Sequence, residues 1–124
     1  EETRYEEGII ARQRSEIVHC LDPIMQILVL FTSPEDLRNQ IAELFEVLDV
    51  YDAGSLSFDD LRSSLLHLHL SHNAMVLRWE DFLRFTNDGV LCANGGVLGP
   101  NEFENAMVRE LRDFVERRLA SAMA

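Results

Sequence analysis

Asp49-Val50-Tyr51-Asp52-Ala53-Gly54-Ser55-Leu56-Ser57-Phe58-Asp59-Asp60 is the most informative stretch of this chain of 124 residues. Upstream of it, Leu37, Ile41, Leu44, Phe45 and Leu48 recur at helical spacing and form one apolar stripe. That helix carries its own start signals: Ser33 as cap, Pro34 at the first position, and Glu35 and Asp36 in the first turn, where the dipole favours acids. Downstream, Leu61, Leu65, Leu66 and Leu68 predict a second helix from Phe58 to about Leu70. Two amphipathic helices therefore flank a short acidic segment with a glycine at its middle.

The register of the segment resembles an EF-hand loop. Asp49 stands at the first ligand position, Gly54 at the sixth, where such a loop turns sharply, Leu56 at the eighth and Asp60 at the twelfth. Phe45, Leu48 and Leu61 match the apolar positions that pack the two helices of such a unit. The ligand set is incomplete. Tyr51 and Ala53 occupy the third and fifth positions, normally aspartate or asparagine, and Asp60 is a methylene shorter than the usual glutamate. Asp49, the Ser55 carbonyl, Ser57 and Asp60 remain as candidate metal ligands, with Asp52 able to swing in. Calcium takes about six to eight oxygens, so the resemblance implies weak calcium binding at this loop or none, and no other cofactor.

EF-hands usually come in pairs joined through the eighth position of each loop, so a partner unit is expected downstream. Leu77 to Thr86, with Trp79, Phe82, Leu83 and Phe85, predicts an incoming helix, and Gly99-Pro100-Asn101-Glu102-Phe103 opens an outgoing one. Counting back from Glu102 as the twelfth position places Gly96 sixth and Leu98 eighth, as Gly54 and Leu56 are placed in the first loop. In that register Leu91, Ala93, Gly95 and Gly99 fall at ligand positions without a side-chain oxygen, so this loop is not expected to hold calcium. Asn87, Asp88 and Asn94 read as turn residues.

The expected architecture is all-α: paired EF-hand-like helix-loop-helix units over residues 22–124, an extra N-terminal helix and a long C-terminal helix. Residues 1–21 form a connector or N-terminal helix, since Arg4 to Cys20 carries only Ile9, Ile10, Ile17 and Val18 among many charges. Asp22 as cap and Pro23 at the first position open a short apolar helix through Phe31, expected to be buried. The last helix, Asn101 to about Met123, bears Phe103, Met107, Leu111, Phe114, Val115 and Leu119 on one stripe and is longer than one such unit needs. Its second half, Phe114 to Met123, is expected to pack on the Pro23 to Phe31 helix, with another protein as the alternative partner.

A net charge of -11 and a pI near 4.6 exclude a nucleic-acid partner, which requires clustered cations. No apolar run approaches the roughly 18 residues of a membrane span, and the N-terminus has no secretory-signal pattern. Cys20 and Cys92 lack any CxxC spacing and are expected to be buried, reduced thiols. His67, His69 and His72 read as a surface patch, and the methionines as core filler. No constellation of nucleophile, base and orienting group stands out, so the chain does not read as an enzyme.

Leu21-Asp22-Pro23-Ile24, Phe31-Thr32, Glu35-Asp36-Leu37, Leu48-Asp49, Gly54-Ser55-Leu56-Ser57-Phe58, Glu80-Asp81-Phe82, Gly99-Pro100-Asn101-Glu102-Phe103 and Arg118-Leu119-Ala120-Ser121-Ala122-Met123 resemble a further pattern. It is that of the cytosolic C-terminal tails of voltage-gated cation channels of dinoflagellates and other protists. The resemblance implies a regulatory module on the cytoplasmic side of a membrane, following the pore helices of a membrane-embedded parent. Its implied partners are neighbouring channel subunits, other proteins or calmodulin. The alternative is a soluble EF-hand-like adaptor that grips a helical peptide of a partner protein.

Overall fold

The computed structural model describes residues 19–68 and 75–123. The chain is all-helical over them: α1 (Asp22–Leu28), α2 (Pro34–Leu48), α3 (Phe58–Leu66), α4 (Trp79–Phe85) and α5 (Pro100–Met123). Among the described residues no strand forms, and the one extended pairing is an isolated antiparallel bridge between Leu56 and Leu98. Most of the expected Arg4 to Cys20 segment, as well as His69 and His72, lies outside the described residues.

Helix starts follow side-chain capping. Ser33 Oγ accepts from the Asp36 amide at 3.0 Å, and the Asp36 carboxylate accepts from the Thr32 amide at 2.9 Å, so two amides with no helical partner are satisfied at the head of α2. At α3, Ser57 Oγ accepts from the Asp60 amide at 3.1 Å and Asp60 accepts in return from the Ser57 amide at 3.2 Å. The helix ends at Leu66, short of Leu70, because its last amides turn back three residues, His67 to Ser64 and Leu68 to Leu65. α4 begins two residues after Leu77, whose buried side chain lies in the extended lead-in; Asp81 accepts from the Arg78 amide at 3.0 Å.

α1 departs from expectation in two ways. Asp22 lies inside the helix and Leu21 precedes it as the cap residue, because the Asp22 carboxylate accepts from the His19 amide and from Arg117. The helix also stops at Leu28, where the chain turns through bonds from Leu30 to Ile27 and Phe31 to Leu28. Only one face is buried, that of Ile24, Met25 and Leu28, while Leu30 is 75% exposed.

α5 is the spine. It lies against α1, α2 and α4, and Phe103, Ala106, Met107, Leu111 and Phe114 are its buried stripe. The Phe103 ring meets Phe45 of α2 edge-on at 5.4 Å and Phe85 of α4 at 6.4 Å, joining both halves of the chain in one core. The second half of α5 reaches α1, as the apolar stripe requires. On the other side, buried Ser64 donates its hydroxyl to the Leu48 carbonyl at 2.7 Å and holds the end of α2 against α3.

Leu56 is 1% exposed and Leu98 is fully buried, so Leu56→Asp places an uncompensated carboxylate in the core. The expected loss is at least about 4 kcal/mol, read as lost helicity in circular dichroism at 25 °C or a collapsed urea midpoint. A variant as stable as the wild type would mean that the two loops do not depend on each other.

Candidate functional site

The Asp49–Asp60 loop is closed by its own side chains. Asp49 caps the end of α2, and its two carboxylate oxygens accept from the Ala53 amide at 3.0 Å and the Gly54 amide at 2.8 Å. Its carbonyl accepts from Asp52, which stands exposed at φ 53 in the left-handed region that Asp tolerates better than most residues. Gly54 follows at φ 80, where a side chain is strained although the space beside it is open. Ser57 and Asp60 form the capping box of α3, and Ser55 is half-buried next to Leu56.

The five sequence-derived ligand candidates thus occupy one loop, but their carboxylates do not converge. Among the described residues, one trio of His, Cys, Asp or Glu ligand atoms lies within 4.8 Å of one another, and it contains none of Asp49, Asp52 and Asp60. Asp49 and Asp52 instead border a cavity of about 460 Å³ with Glu46 and Glu104, an acidic recess between α2 and the head of α5.

The second loop has the same turn without the acids. Gly96 takes φ 75 two residues before Leu98, as Gly54 does before Leu56. Leu56 and Leu98 then exchange both backbone hydrogen bonds, each 2.8 Å. Glu102 accepts from the Gly99 amide at 3.1 Å, and Asn87 and Asp88 take left-handed φ values of 55 and 59 at the end of α4. Their role in the structure is to turn and cap the chain.

An ionic network on the opposite side was not legible in the sequence. Arg117 of α5 binds Asp22 of α1 at 3.0 Å and Asp113 at 2.9 Å. His19 Nδ1 lies 3.4 Å from Glu110 and 3.6 Å from Asp113. Arg84 of α4 reaches Glu110 and Asp81, both at 3.3 Å, and its buried Nε has no hydrogen-bond partner. Burial alone would raise the Asp81 carboxyl; accepting from the Arg78 amide and guanidinium, beside the charge of Arg84, holds it below its ordinary value. Burial also tends to lower Arg117, but Asp22 and Asp113 outweigh it and raise it. The partners His19 and Glu110 stand 91 residues apart and Asp22 and Arg117 95, so only the fold joins them.

Both cysteines are free thiols, half-buried where full burial was expected. Cys20 is pushed from 9.0 up to about 12, chiefly by burial and then by the negative charge of Asp81. Cys92 is raised as well, by burial first. No described helix is long and apolar enough to cross a membrane. In comparisons with known proteins, no family model, no curated protein and no solved structure matches the chain.

Two measurements check this geometry. Alkylation of Cys20 by iodoacetamide at pH 8 is expected to run about a thousandfold slower in the native chain than in the urea-unfolded one, since the thiolate is the nucleophile. Arg117→Ala leaves the Asp22 carboxylate, buried beside α5, without its guanidinium, and is expected to cost about 3 kcal/mol in urea unfolding.

Proposed function

We propose that this chain is a regulatory or scaffold module of a voltage-gated cation channel, built on two degenerate EF-hand-like units whose first loop holds calcium weakly or not at all. The observation that carries the pairing is the reciprocal hydrogen bonding of Leu56 and Leu98, which stand at the eighth position of the two loops counted from sequence. The left-handed Gly54 and Gly96 at both sixth positions agree with it. The scaffold character rests on chemistry: Asp49, Ser57 and Asp60 bond to amides of their own loop, so the turn forms without an ion. The channel context rests on the sequence resemblance alone. In that context the module lies on the cytoplasmic side of the membrane and biases the pore through its packing against neighbouring subunits or calmodulin.

One feature favours the second reading, a soluble adaptor for a helical peptide. Ile24, Ile27, Leu28, Leu44, Val47 and Leu68 line an apolar groove of about 310 Å³ between α1 and α2, with Glu43 and Gln40 at its side. Ile27 and Val47 remain about half exposed there. A helix with apolar residues on one face fits such a groove.

Calorimetric titration of calcium, then magnesium, into the chelator-stripped chain tests the scaffold. Heat no stronger than a millimolar site, and lost in Asp49→Ala, is expected; submicromolar affinity would make the first loop a switch and overturn the reading. In the full-length parent channel, Leu56→Asp is expected to shift the voltage of half-activation. Unchanged gating would reject the channel role and leave the adaptor.

A further inference from the structure

We propose that His19, Glu110 and Asp113 form a zinc-binding site that ties the start of the described chain to α5. The inference is independent of the EF-hand-like loops, which lie elsewhere. Glu110 and Asp113 are three residues apart on one helix and share a face, and His19 meets them from the segment before α1. His19 Nδ1 lies 3.4 Å from Glu110 Oε2 and 3.6 Å from Asp113 Oδ2, and the three ligand atoms are all within 4.8 Å of one another.

Those spacings favour a particular ion. Metal–ligand bonds of about 2.0–2.2 Å at tetrahedral angles set neighbouring ligand atoms about 3.3–3.6 Å apart, which two of the three pairs already match. Octahedral magnesium, with bonds of about 2.0–2.1 Å, brings neighbours to about 3 Å, and calcium takes oxygens in preference to imidazole. Zinc takes nitrogen and carboxylate oxygen together. Asp113 is 47% exposed, and closing the third edge requires its carboxylate to turn against the bond that Arg117 Nε makes to Oδ2 at 2.9 Å.

The surroundings supply the remaining requirements. A cavity of about 280 Å³ is lined by Glu110 and Asp113 together with Arg84, Arg109, Arg112 and Glu116, which leaves room for a water at the fourth position. Asp22 accepts from the His19 amide and fixes the backbone that carries the ring. Arg84 bonds Glu110 Oε2 at 3.3 Å and Arg117 bonds Asp113 Oδ2 at 2.9 Å, the same oxygens that face His19, so the guanidiniums both orient the ligand atoms and compete for them. A carboxylate offers about four lone-pair positions, so guanidinium and metal can share it. The positive charge of Arg84, Arg109, Arg112 and Arg117 around the site weakens the ion's hold, which places the affinity in the micromolar range rather than that of a closed structural site.

The test is titration of zinc chloride into the chelator-stripped full chain, followed by calorimetry and by nitrogen NMR of the histidine rings, with magnesium and calcium chlorides in parallel. One zinc per chain is expected at micromolar affinity, with His19 Nδ1 as the nitrogen that shifts. His19→Ala and Asp113→Asn are each expected to weaken zinc at least about tenfold while keeping wild-type helicity, and Glu35→Gln, at an exposed residue away from the cluster, is expected to bind as the wild type does. Equal affinity in His19→Ala, or no saturation up to the high micromolar range, would overturn the site.

Discussion

Two hydrogen bonds of 2.8 Å between Leu56 and Leu98 join loops that lie 42 residues apart, 98 minus 56, and the remaining structure is arranged around them. Both residues are almost wholly buried, so their amides and carbonyls have no water to fall back on. Each loop must therefore present its peptide unit at one position and angle. Gly54 and Gly96 turn the chain two residues earlier through left-handed φ, and capping residues start a helix right after: Ser57 with Asp60, and Gly99 with Glu102. The bridge thus stands two residues before the start of α3 and of α5 and sets the two helices off from one place.

The apolar core then closes around Phe103. With the Phe103 ring between Phe45 and Phe85, α5 contacts both α2 and α4 and has length left over to cover α1. The ionic network is the polar counterpart of that contact. Glu110 and Asp22 are buried carboxylates, and each has a guanidinium partner, Arg84 or Arg117. Such pairs add little net stability compared with apolar contacts, but an unmatched charge there is costly, so they select one docking of α5 over alternatives.

Local chemistry was legible in the sequence, and so were two long-range apolar contacts, Leu56 with Leu98 and α5 on α1, whereas the long-range ionic contacts were not. The caps at Ser33 and Ser57, the α2 stripe and the turn at Gly54 follow from neighbours within four residues, where helical period and hydrogen-bond reach operate. The end of α1 was misjudged because Val29, Leu30 and Phe31 continue its apolar run in sequence, yet they follow Leu28 in a turn and stay exposed. Asp22 was misjudged for a related reason. In sequence it looks like a cap before a proline, and only the fold brings Arg117 to it. For the first loop, residue identities alone place all five candidate ligands, but they do not reveal that Asp49 and Asp60 already accept from amides. The cluster of His19, Glu110 and Asp113 carries no sequence signal, since an isolated histidine and two acids in a helix are ordinary.

The entry of the chain at His19 has a mechanical consequence. Tension applied through the preceding residues reaches the contacts of His19 with Glu110 and Asp113, then the Asp22 to Arg117 pair, before it loads the apolar packing of Ile24 and Met25. These polar contacts are short-ranged and, Asp113 apart, mostly buried, so they yield over short extensions and are screened little by salt. An apolar interface yields only when a whole face is pulled into water. The domain therefore resists a pull from that end in two stages, the first the parting of a few short polar contacts and the second governed by hydration of its core.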